Sequence, residues 1–314
     1  MDVYIISLNK SEELVNEVSS IGLNPILVKG VNGKDLSQNE INENTSYLYP
    51  YIGPRSAIGI AMSHINTWKL FLETDKENCI IIEDDALFVD NFQEKLKIGL
   101  QNTPNDFDIL YLGCFGCQSK YNYHTIVQQQ FSYKKINDYV SIPGIALATH
   151  GYMVSRKGAK KLVEHLDKNI YFHIDSCMQD LHKKKIIKEY VLNERIIYQS
   201  STDTLVSTNT SNTHPYILSK LLSNIYLDEK LRANYDLSMS HFQIGSFVGT
   251  LATVLFSIIG VVCAYFKCEI LDVTGIYLII NIPDIVYSKN ELSIIVHYFL
   301  LILPSIIVKY IEIK

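Results

Sequence analysis

Residues 79–90 read Cys-Ile-Ile-Ile-Glu-Asp-Asp-Ala-Leu-Phe-Val-Asp. Its apolar, β-branched run, Ile80–Ile82, follows a polar, turn-like cluster and ends abruptly in three adjacent carboxylates. A short β-branched run between polar turns is typical of a buried strand in an α/β sheet. The stretch therefore predicts a buried strand whose carboxyl end carries Glu83, Asp84 and Asp85.

Three like charges at the end of one strand repel one another, and the repulsion grows as the carboxylates lose water. Hard cations such as Mn²⁺ and Mg²⁺ take oxygen ligands and bridge to phosphates, and one or two carboxylates suffice to hold them. In open α/β sheets, ligands bind outside the carboxyl ends of the strands. The acidic triplet thus predicts a site for a metal-bound nucleotide. The alternative is a solvated acidic loop before the next helix.

The charge distribution gives no electrostatic basis for binding nucleic acid, because the net charge of the 314 residues is −5 and no long basic block occurs. We therefore expect no nucleic-acid partner. The one basic cluster, Lys183, Lys184, Lys185 and Lys188, is typical of a solvated helix face.

Six cysteines are scattered along the chain, and only Cys114 and Cys117 have C-x-x-C spacing. A zinc site of the common type needs a second such pair, which the sequence lacks. A redox role for the pair stays open, and no disulfide framework is indicated. Residues 1–9 have no basic segment and only a short apolar run, so they predict a first buried strand and not a signal peptide.

The opening of the chain predicts a βαβ unit. Val3–Leu8 has the pattern of a strand, Ser11 and two glutamates suit a helix start, and Gly22 ends that helix. Pro25–Val28 predicts a second strand, parallel to the first. The glycine-rich turn that follows, residues 30–35, lacks the spacing of a dinucleotide-binding loop or a P-loop.

Later segments continue the alternation. Arg55–Phe71 predicts a helix whose small residues allow close approach to another backbone, and Phe107–Gly113 and Ile145–Val154 predict strands. Taken alone, His64 in that helix is best read as a core histidine with a partner, with a substrate contact or a nucleotide pocket as alternatives. Asp175 precedes a further helix, and its pattern alone also suits an N-cap.

Several blocks of sequence follow one another in order over about residues 1–200. They are Val3–Asn9, Gly33–Asp35, Ile58–His64 with Trp68, Ile81–Phe88, Asp108–Gly113, Gly151–Ser155 with Gly158 and Ala159, and Ile174–Asp175. Together these blocks resemble glycosyltransferase family 25, which includes bacterial lipooligosaccharide galactosyltransferases and collagen galactosyltransferases. The family usually has arginines where Lys10, Ser11 and Glu12 stand here, and a cysteine in place of Ile60.

The resemblance implies an α/β fold of the GT-A type, with a mostly parallel sheet, in which the acidic triplet replaces a metal-binding Asp-x-Asp. It implies an enzyme that moves galactose or glucose, with inversion, from a UDP-sugar to a hydroxyl of a glycan, lipid or protein acceptor. Mn²⁺, or Mg²⁺, would neutralise charge on the leaving diphosphate. Because side chains alternate along a strand, Glu83 and Asp85 are the expected metal ligands, with His214 as a third.

The resemblance also implies the remaining site residues. An inverting transfer needs a base for the acceptor proton, and Asp175 is the candidate. The alternative is a catalytically inactive relative that acts as a membrane-bound binding or scaffolding protein. The expected contacts to the nucleotide-sugar are Leu8, Asn9, Asp35, Ser63, His64, Asp84 and His150.

Charged residues become scarce towards the carboxyl terminus, with 52 in residues 1–240 and nine in residues 241–314. We therefore place a boundary near Ser238, between a glycosyltransferase domain, residues 1–238, and a hydrophobic helical membrane region, residues 239–314.

Two tail segments are candidate membrane spans. Phe242–Phe266 holds 25 uncharged residues, more than the roughly 20 that a spanning helix needs, and its Gly245 and Gly249 have the G-x-x-x-G spacing that packs helices in lipid. Leu292–Val308 is the second candidate, and Val273–Tyr287 between them is better read as a buried or interfacial segment. The sequence thus predicts membrane association through a carboxyl-terminal anchor, with balanced flanking charges that leave the topology open. The alternatives are a helical core subdomain and, more remotely, a fragment of a membrane transporter.

Overall fold

The residues that the structure, a computed structural model, describes are 1–9, 12–115, 134–199, 239–245, 247–287 and 291–313. The chain divides into two compact units, residues 1–200 and residues 201–314. The boundary expected near Ser238 falls at the edge of residues outside the described ranges, and it stays a prediction.

The first unit contains one large sheet and a separate pair of short strands. The strands of the large sheet are β1 (Asp2–Ser7), β2 (Asn24–Lys29), β3 (Asn78–Glu83), β5 (Ile109–Phe115), β6 (Lys134–Lys135), β7 (Val140–Ile142), β8 (Leu147–Ser155) and β9 (Glu189–Leu192). The separate antiparallel pair consists of β4 (Ala86–Phe88) and β10 (Ile197–Gln199).

The large sheet has the order β2-β1-β3-β8-β5-β9-β7-β6. Strand β1 is parallel to β2 and β3, and β5 is parallel to β9. Strand β8 is antiparallel to β3 and β5, and β7 is antiparallel to β9 and β6. Most of the sheet therefore runs in one direction, as predicted, with β8 and β7 reversed. As a consequence, the beginning of β8 lies at the same sheet edge as the ends of β1 and β3.

Helices cover both faces of this sheet, because alternate residues of each buried strand point to opposite faces. Ile81 belongs to one apolar cluster with Trp68, and Ile80 and Ile82 belong to the other with Phe92. The helices of the first unit are α1 (Glu12–Ser20), α2 (Gln38–Asn44), α3 (Tyr49–Ile52), α4 (Arg55–Leu72), α5 (Phe92–Asn102), α6 (Arg156–Leu166) and α7 (Ile174–Lys183).

Helix α4 approaches the turn after β2 closely, as its small residues predicted. A Cβ atom on Gly59 would lie 2.6 Å from the Val31 carbonyl oxygen and 2.6 Å from the Gly33 nitrogen. No side chain larger than hydrogen fits at Gly59 without moving one of these two backbone segments. The βαβ prediction is also confirmed, since β1 and β2 pair in parallel along their whole length.

The second unit begins with a hairpin, followed by three helices. Its described elements are β11 (Ser240–Ile244), β12 (Phe247–Thr250), α8 (Leu251–Tyr265), α9 (Ile270–Tyr287) and α10 (Glu291–Ile313).

The prediction of one continuous helical span over Phe242–Phe266 was wrong, because its first part forms the β11–β12 hairpin. Gly245 has φ +59° at the turn, a left-handed conformation that ends a strand and that glycine adopts without strain. Gly249 lies opposite Phe242 in the hairpin. The G-x-x-x-G spacing therefore does not form a helical contact surface.

Helix α10 contains the second predicted span. Within the described residues it is the one helix long and apolar enough to cross a bilayer, over Ile294–Ile311. By the same criteria of length and composition, α8 and the apolar part of α9, Ile270–Ile282, are shorter. The segment expected to be buried or interfacial is helix α9, several of whose large apolar side chains are exposed: Leu271, Ile276, Leu278, Ile279 and Ile282.

Several polar side chains of the tail helices are buried, and many of their large apolar side chains are exposed. The Thr253 hydroxyl oxygen lies 3.0 Å from His297 Nε2, and the Phe256 ring stacks on the same imidazole at 4.8 Å. Asn281 is buried as well. Exposed apolar side chains of α8 and α10 include Ile258, Val261, Ile295, Phe299 and Ile307.

Candidate functional site

The candidate site lies where β1 and β3 end and β8 begins. Ile6 of β1 pairs with Glu83 of β3, and Ile82 pairs with Gly151 of β8. Because β8 runs against β3, the residues just before Gly151 lie beside those just after Ile82. This edge is where the sequence predicted a ligand, and three elements supply side chains to it.

Glu83, the last residue of β3, has one carboxylate oxygen held and the other open. Its Oε1 accepts a hydrogen bond from the Thr149 hydroxyl at 2.6 Å, and it lies 3.4 Å from His64 Nε2. Its Oε2 makes no hydrogen bond to the described part of the chain, and 22% of the side chain is exposed. Glu83 therefore presents a fixed carboxylate with a free oxygen.

His64 is fully buried and links Glu83 to the hydrogen-bonded side chains of Tyr152 and Trp68. The indole Nε1 of Trp68 donates to the Tyr152 hydroxyl at 2.9 Å, and that hydroxyl lies 2.9 Å from His64 Nδ1. The indole is only a donor, whereas the Tyr152 hydroxyl can accept from both rings or donate to His64 Nδ1. This arrangement fixes the orientation of the imidazole so that its Nε2 faces Glu83. His64 is thus a core histidine with partners, the interpretation that its pattern alone favoured.

The surroundings of Glu83 keep it ionised. Burial raises the pKa of its carboxyl, but the hydrogen bond and charge of His64, the Thr149 hydroxyl and the nearby His150 outweigh that effect, and the net pKa lies below its usual range. The site therefore holds a negative charge at neutral pH.

Each of the other two carboxylates is held by a different element. Asp84 Oδ2 accepts a hydrogen bond from the Ser7 hydroxyl at 2.6 Å, which ties it to the end of β1. Asp85 Oδ2 accepts from Gln199 Nε2 of β10 at 2.8 Å. Strand β3 ends at Glu83, and the next two residues form a turn. The alternation of side chains along a strand, which predicted that Glu83 and Asp85 point to the same side, therefore ends before Asp85.

Within the described ranges, no group of three or more His, Cys, Asp or Glu side chains is arranged to hold a metal ion. His214, the predicted third ligand, lies outside the described residues. The open Oε2 of Glu83 and the carboxylates of the adjacent turn are hard oxygen donors, the type that Mn²⁺ and Mg²⁺ prefer. These residues fit a cation shared with the phosphates of a ligand and do not form an all-protein cage.

Three predicted nucleotide-sugar contacts are exposed near the ends of β1 and β2. Leu8 and Asn9 follow β1 directly, and the Asn9 amide donates to the Ser7 hydroxyl oxygen at 3.2 Å. Asp35 lies in the turn after β2, and its Oδ2 accepts from Asn32 Nδ2 at 2.9 Å. Leu8 and Asn9 thus lie next to the residue that binds Asp84.

Ser63 and His150 are buried. The Ser63 hydroxyl accepts from the Val31 amide at 2.8 Å and donates to the Gly59 carbonyl at 2.7 Å, so it ties α4 to the turn after β2. His150 packs against Gly113, where a Cβ atom would lie 2.6 Å from His150 Nε2. Gly113 therefore makes room for the imidazole beside the site.

Asp175, the predicted base, is 8% exposed and bonded to backbone amides. Its Oδ2 accepts from the Ala148 N–H at 2.9 Å, and its Oδ1 accepts from the Ser176 N–H at 2.6 Å. The alternative of Asp175 as an N-cap was wrong, because α7 already begins at Ile174 and His173 occupies the cap position.

Four residues whose side chains bond to the acidic triplet or to His64 were not predicted themselves: Ser7, Thr149, Tyr152 and Gln199. Ser7 lies in the predicted first strand, and Thr149 and Tyr152 lie in the predicted strand Ile145–Val154, on either side of His150 and Gly151. No sequence signal pointed to Gln199, which lies 114 residues from Asp85 in the chain.

A sequence profile described as "Glycosyltransferase family 25 (LPS biosynthesis protein)" matches residues 1–178. Procollagen galactosyltransferase 2 of Homo sapiens is 26% identical over 181 residues, which cover 52% of this chain and 27% of the human one. Procollagen galactosyltransferase 1 of Danio rerio is 23% identical over 235 residues, 68% of this chain and 37% of that one. A Rattus norvegicus protein named "Probable inactive glycosyltransferase 25 family member 3" is 21% identical over 182 residues, 52% of this chain and 29% of that one. The matches thus span roughly a third of the length of these relatives.

Proposed function

This chain belongs to glycosyltransferase family 25, and from that membership we propose that it is a metal-dependent hexosyltransferase. It transfers galactose or glucose from a UDP-sugar, with inversion, to a hydroxyl of a glycan, lipid or protein acceptor. The names of the human and Danio rerio relatives support galactose as the sugar. The alternation of strands and helices around a mostly parallel sheet supports a fold of the GT-A type.

The observation that carries the proposal is the state of Glu83. An ionised carboxylate with Oε1 held by Thr149 and His64, and with Oε2 open, stands at the carboxyl end of a buried strand. Orienting partners of this kind are typical of carboxylates that bind a metal ion. Their presence distinguishes Glu83 from the acid of a solvated turn.

Glu83 and Asp85 are the proposed ligands of Mn²⁺ or Mg²⁺, with His214 as a third. When bound, the cation supplies positive charge to the departing diphosphate. Asp84, held by Ser7, would face the nucleotide beside Leu8 and Asn9. The other proposed donor-site residues are Asp35, Ser63, His64 and His150, of which Ser63, His64 and His150 are buried and would act from the core.

Inversion requires a group that takes the proton of the acceptor hydroxyl. Asp175 is the predicted base, but a base needs an oxygen that faces the acceptor. Both oxygens of Asp175 accept backbone N–H bonds, so one of those bonds would have to break when the acceptor binds.

Release of UDP from UDP-galactose and UDP-glucose by the full-length protein tests the proposal. We expect turnover with Mn²⁺, its loss on chelation, and a loss of at least about 100-fold in Glu83→Gln and Asp85→Asn, since a metal-dependent transfer loses its charge stabilisation. Asp138→Asn is the matched control, because Asp138 is an exposed carboxylate that pairs with Lys135. Metal-independent turnover, or full activity of both site variants, would refute the mechanism.

The second candidate function is that of an inactive family relative with a binding or scaffolding role. One observation favours it: Lys10, Ser11 and Glu12 stand where the family usually has arginines. Calorimetric titration with UDP and Mn²⁺ separates the two, because the enzyme must bind both together and a scaffold need bind neither.

The tail is proposed to anchor the protein in a membrane. Its helices place Thr253, His297 and Asn281 inside and expose large apolar side chains, the reverse of a water-soluble bundle. Leu303→Asp and Ile307→Asp on α10 should shift the protein from the membrane fraction to the soluble fraction, since a carboxylate at mid-helix costs about 2.5–3.5 kcal/mol in a bilayer. Ile136→Asp, at an exposed residue of the first unit, is the control. Unchanged partition of both tail variants would exclude anchoring by this helix.

A further inference from the structure

We propose that Asp175 and Gln179 are positioning residues, which hold residues 146–148 so that Thr149 reaches Glu83. The inference rests on the proposed function, because its consequence is a correctly placed donor site. It assigns Asp175 a role different from that of a base and gives Gln179 a role that its sequence context did not suggest.

The two side chains come from successive turns of α7. Asp175 Oδ2 accepts from the Ala148 N–H at 2.9 Å, and Gln179 Oε1 accepts from the Ala146 N–H at 2.6 Å. Residues four apart lie on the same face of a helix, so one face of α7 binds two alternate backbone amides, those of Ala146 and Ala148. These two hydrogen bonds are the grip of α7, and residues 146–148 are the gripped segment. Both side chains are buried, with Gln179 only 4% exposed, and hydrogen bonds of this kind are strong where water is excluded.

The gripped segment is strained. Ala148 has φ +67°, in the left-handed region that disfavours residues with a Cβ atom. Such a conformation persists only where the surroundings impose it, and it is concentrated at functional sites. The bond from its own amide to Asp175 is one such constraint.

Sheet pairing alone does not set this part of β8. The register between β5 and β8 shifts between Tyr111 and Gly113 and again between Gly113 and Phe115, opposite the first half of β8. An irregular ladder leaves the segment without the regular strand pairing that would otherwise orient it. The side chains of α7 provide that orientation instead.

The strained residue is followed directly by Thr149, whose hydroxyl binds Glu83 Oε1 at 2.6 Å. His150, which contributes to the lowered pKa of Glu83, is the next residue. A rotation at Ala148 would move both. The effect of α7 on the site therefore depends on the backbone conformation of Ala148. A substitution that changes only the conformational preference of this residue can test it.

The experiment compares Asp175→Asn with the double variant Asp175→Asn/Ala148→Gly in the full-length protein. Glycine adopts φ +67° without the Cβ penalty, so Ala148→Gly should keep this conformation without the hydrogen bond to Asp175. Asp175→Asn turns one of the two acceptor oxygens into an N–H donor, so the side chain can no longer accept from both the Ala148 and the Ser176 N–H groups. We expect this variant to weaken Mn²⁺-dependent UDP binding and to lower turnover by about tenfold or more, the usual cost of losing an orienting partner. The added glycine should restore most of both. Gln179→Leu should resemble Asp175→Asn, and Gln179→Glu, which keeps an acceptor oxygen, should lose less.

Asp180→Asn on the same helix is the matched control, because its carboxylate binds Tyr171 and Lys184 and not the gripped segment. Loss of turnover in Asp175→Asn with unchanged UDP binding and no rescue by Ala148→Gly would identify Asp175 as a base and overturn the inference.

Amide hydrogen exchange over residues 146–150 tests the grip without any enzymatic readout. Faster exchange in Asp175→Asn and Gln179→Leu supports it, and unchanged exchange in both overturns it. Failure of the proposed function looks different, since the wild-type protein would then neither bind UDP with Mn²⁺ nor release it, while the exchange result would still decide the role of Asp175 and Gln179.

Discussion

His64 and Tyr152 are 88 residues apart in the chain, yet His64 Nδ1 and the Tyr152 hydroxyl oxygen lie 2.9 Å apart in the core of the first unit. Trp68, one turn further along α4, donates to the same hydroxyl. The three rings set the direction in which His64 presents its other nitrogen, and that nitrogen faces Glu83. The buried rings of Trp68 and Tyr152 therefore hold His64 in place beside Glu83.

Tyr152→Phe should destabilise the first unit, because the indole N–H of Trp68 and Nδ1 of His64 both lose a buried partner. Leaving a buried polar group without a partner costs about 1–3 kcal/mol, so we expect the free energy of unfolding in urea to fall by that amount. Tyr139→Phe at an exposed ring is the control, expected within about 0.5 kcal/mol of wild type. Equal stability of the two variants would show that these ring hydrogen bonds are not formed.

Thr149→Val should move the acid limb of the pH–activity profile to higher pH. The Thr149 hydroxyl bond is one cause of the lowered pKa of Glu83, so removing it raises that pKa, and the carboxylate is then protonated at a higher pH as the pH falls. Thr149→Ser keeps a hydroxyl and should stay close to wild type. Profiles of UDP release between pH 4 and 8, or about that range, check the prediction. An acid limb that does not move would exclude Glu83 as the group titrating there.

Glu189→Gln should change how stability depends on pH. Burial raises the pKa of Glu189 to about 8, although the Tyr111 hydroxyl bond opposes the shift. Because the folded pKa exceeds the unfolded one, the folded protein binds an extra proton between about pH 4.5 and pH 8. Stability should fall as the pH rises through that window, by up to about 1.4 kcal/mol per pH unit.

The amide that replaces the Glu189 carboxyl in that variant carries no ionisable proton, so the unfolding midpoint should vary less between about pH 4.5 and pH 8, the two ends of the window. Glu94→Gln, at an exposed carboxylate of α5, controls for the change in net charge. Parallel pH curves for wild type and Glu189→Gln would contradict the shifted pKa.

Gly59→Ala should destabilise the first unit strongly, because the new methyl group would lie 2.6 Å from two backbone atoms of the turn after β2. We expect a loss of about 1–3 kcal/mol from overpacking. Gly275→Ala in α9 is the matched control, since nothing lies within 4 Å of the added atom and alanine favours a helix. Thermal unfolding of both variants decides, and equal melting temperatures would refute the close approach.

The order of strands and helices over the first unit was predictable, because hydrophobic periodicity and turn residues are local properties. Strand β3 and the parallel pair of β1 and β2 are confirmed as expected. The tail shows the limit of the same reasoning. Its apolar run of 25 residues met the composition of a spanning helix, but the left-handed turn at Gly245 made the first part a hairpin.

The sequence alone shows that an acidic triplet ends a buried strand and that a family 25 pattern surrounds it, since both features are patterns of neighbouring residues along the chain. Only the tertiary structure decided what holds each carboxylate: Thr149 and His64 for Glu83, Ser7 for Asp84, and Gln199 for Asp85. It also decided that Asp175 faces the amide of Ala148. The physical reason is that a hydrogen-bond partner is chosen by distance in space, and antiparallel β8, strand β10 and helix α7 bring together residues that no local pattern connects.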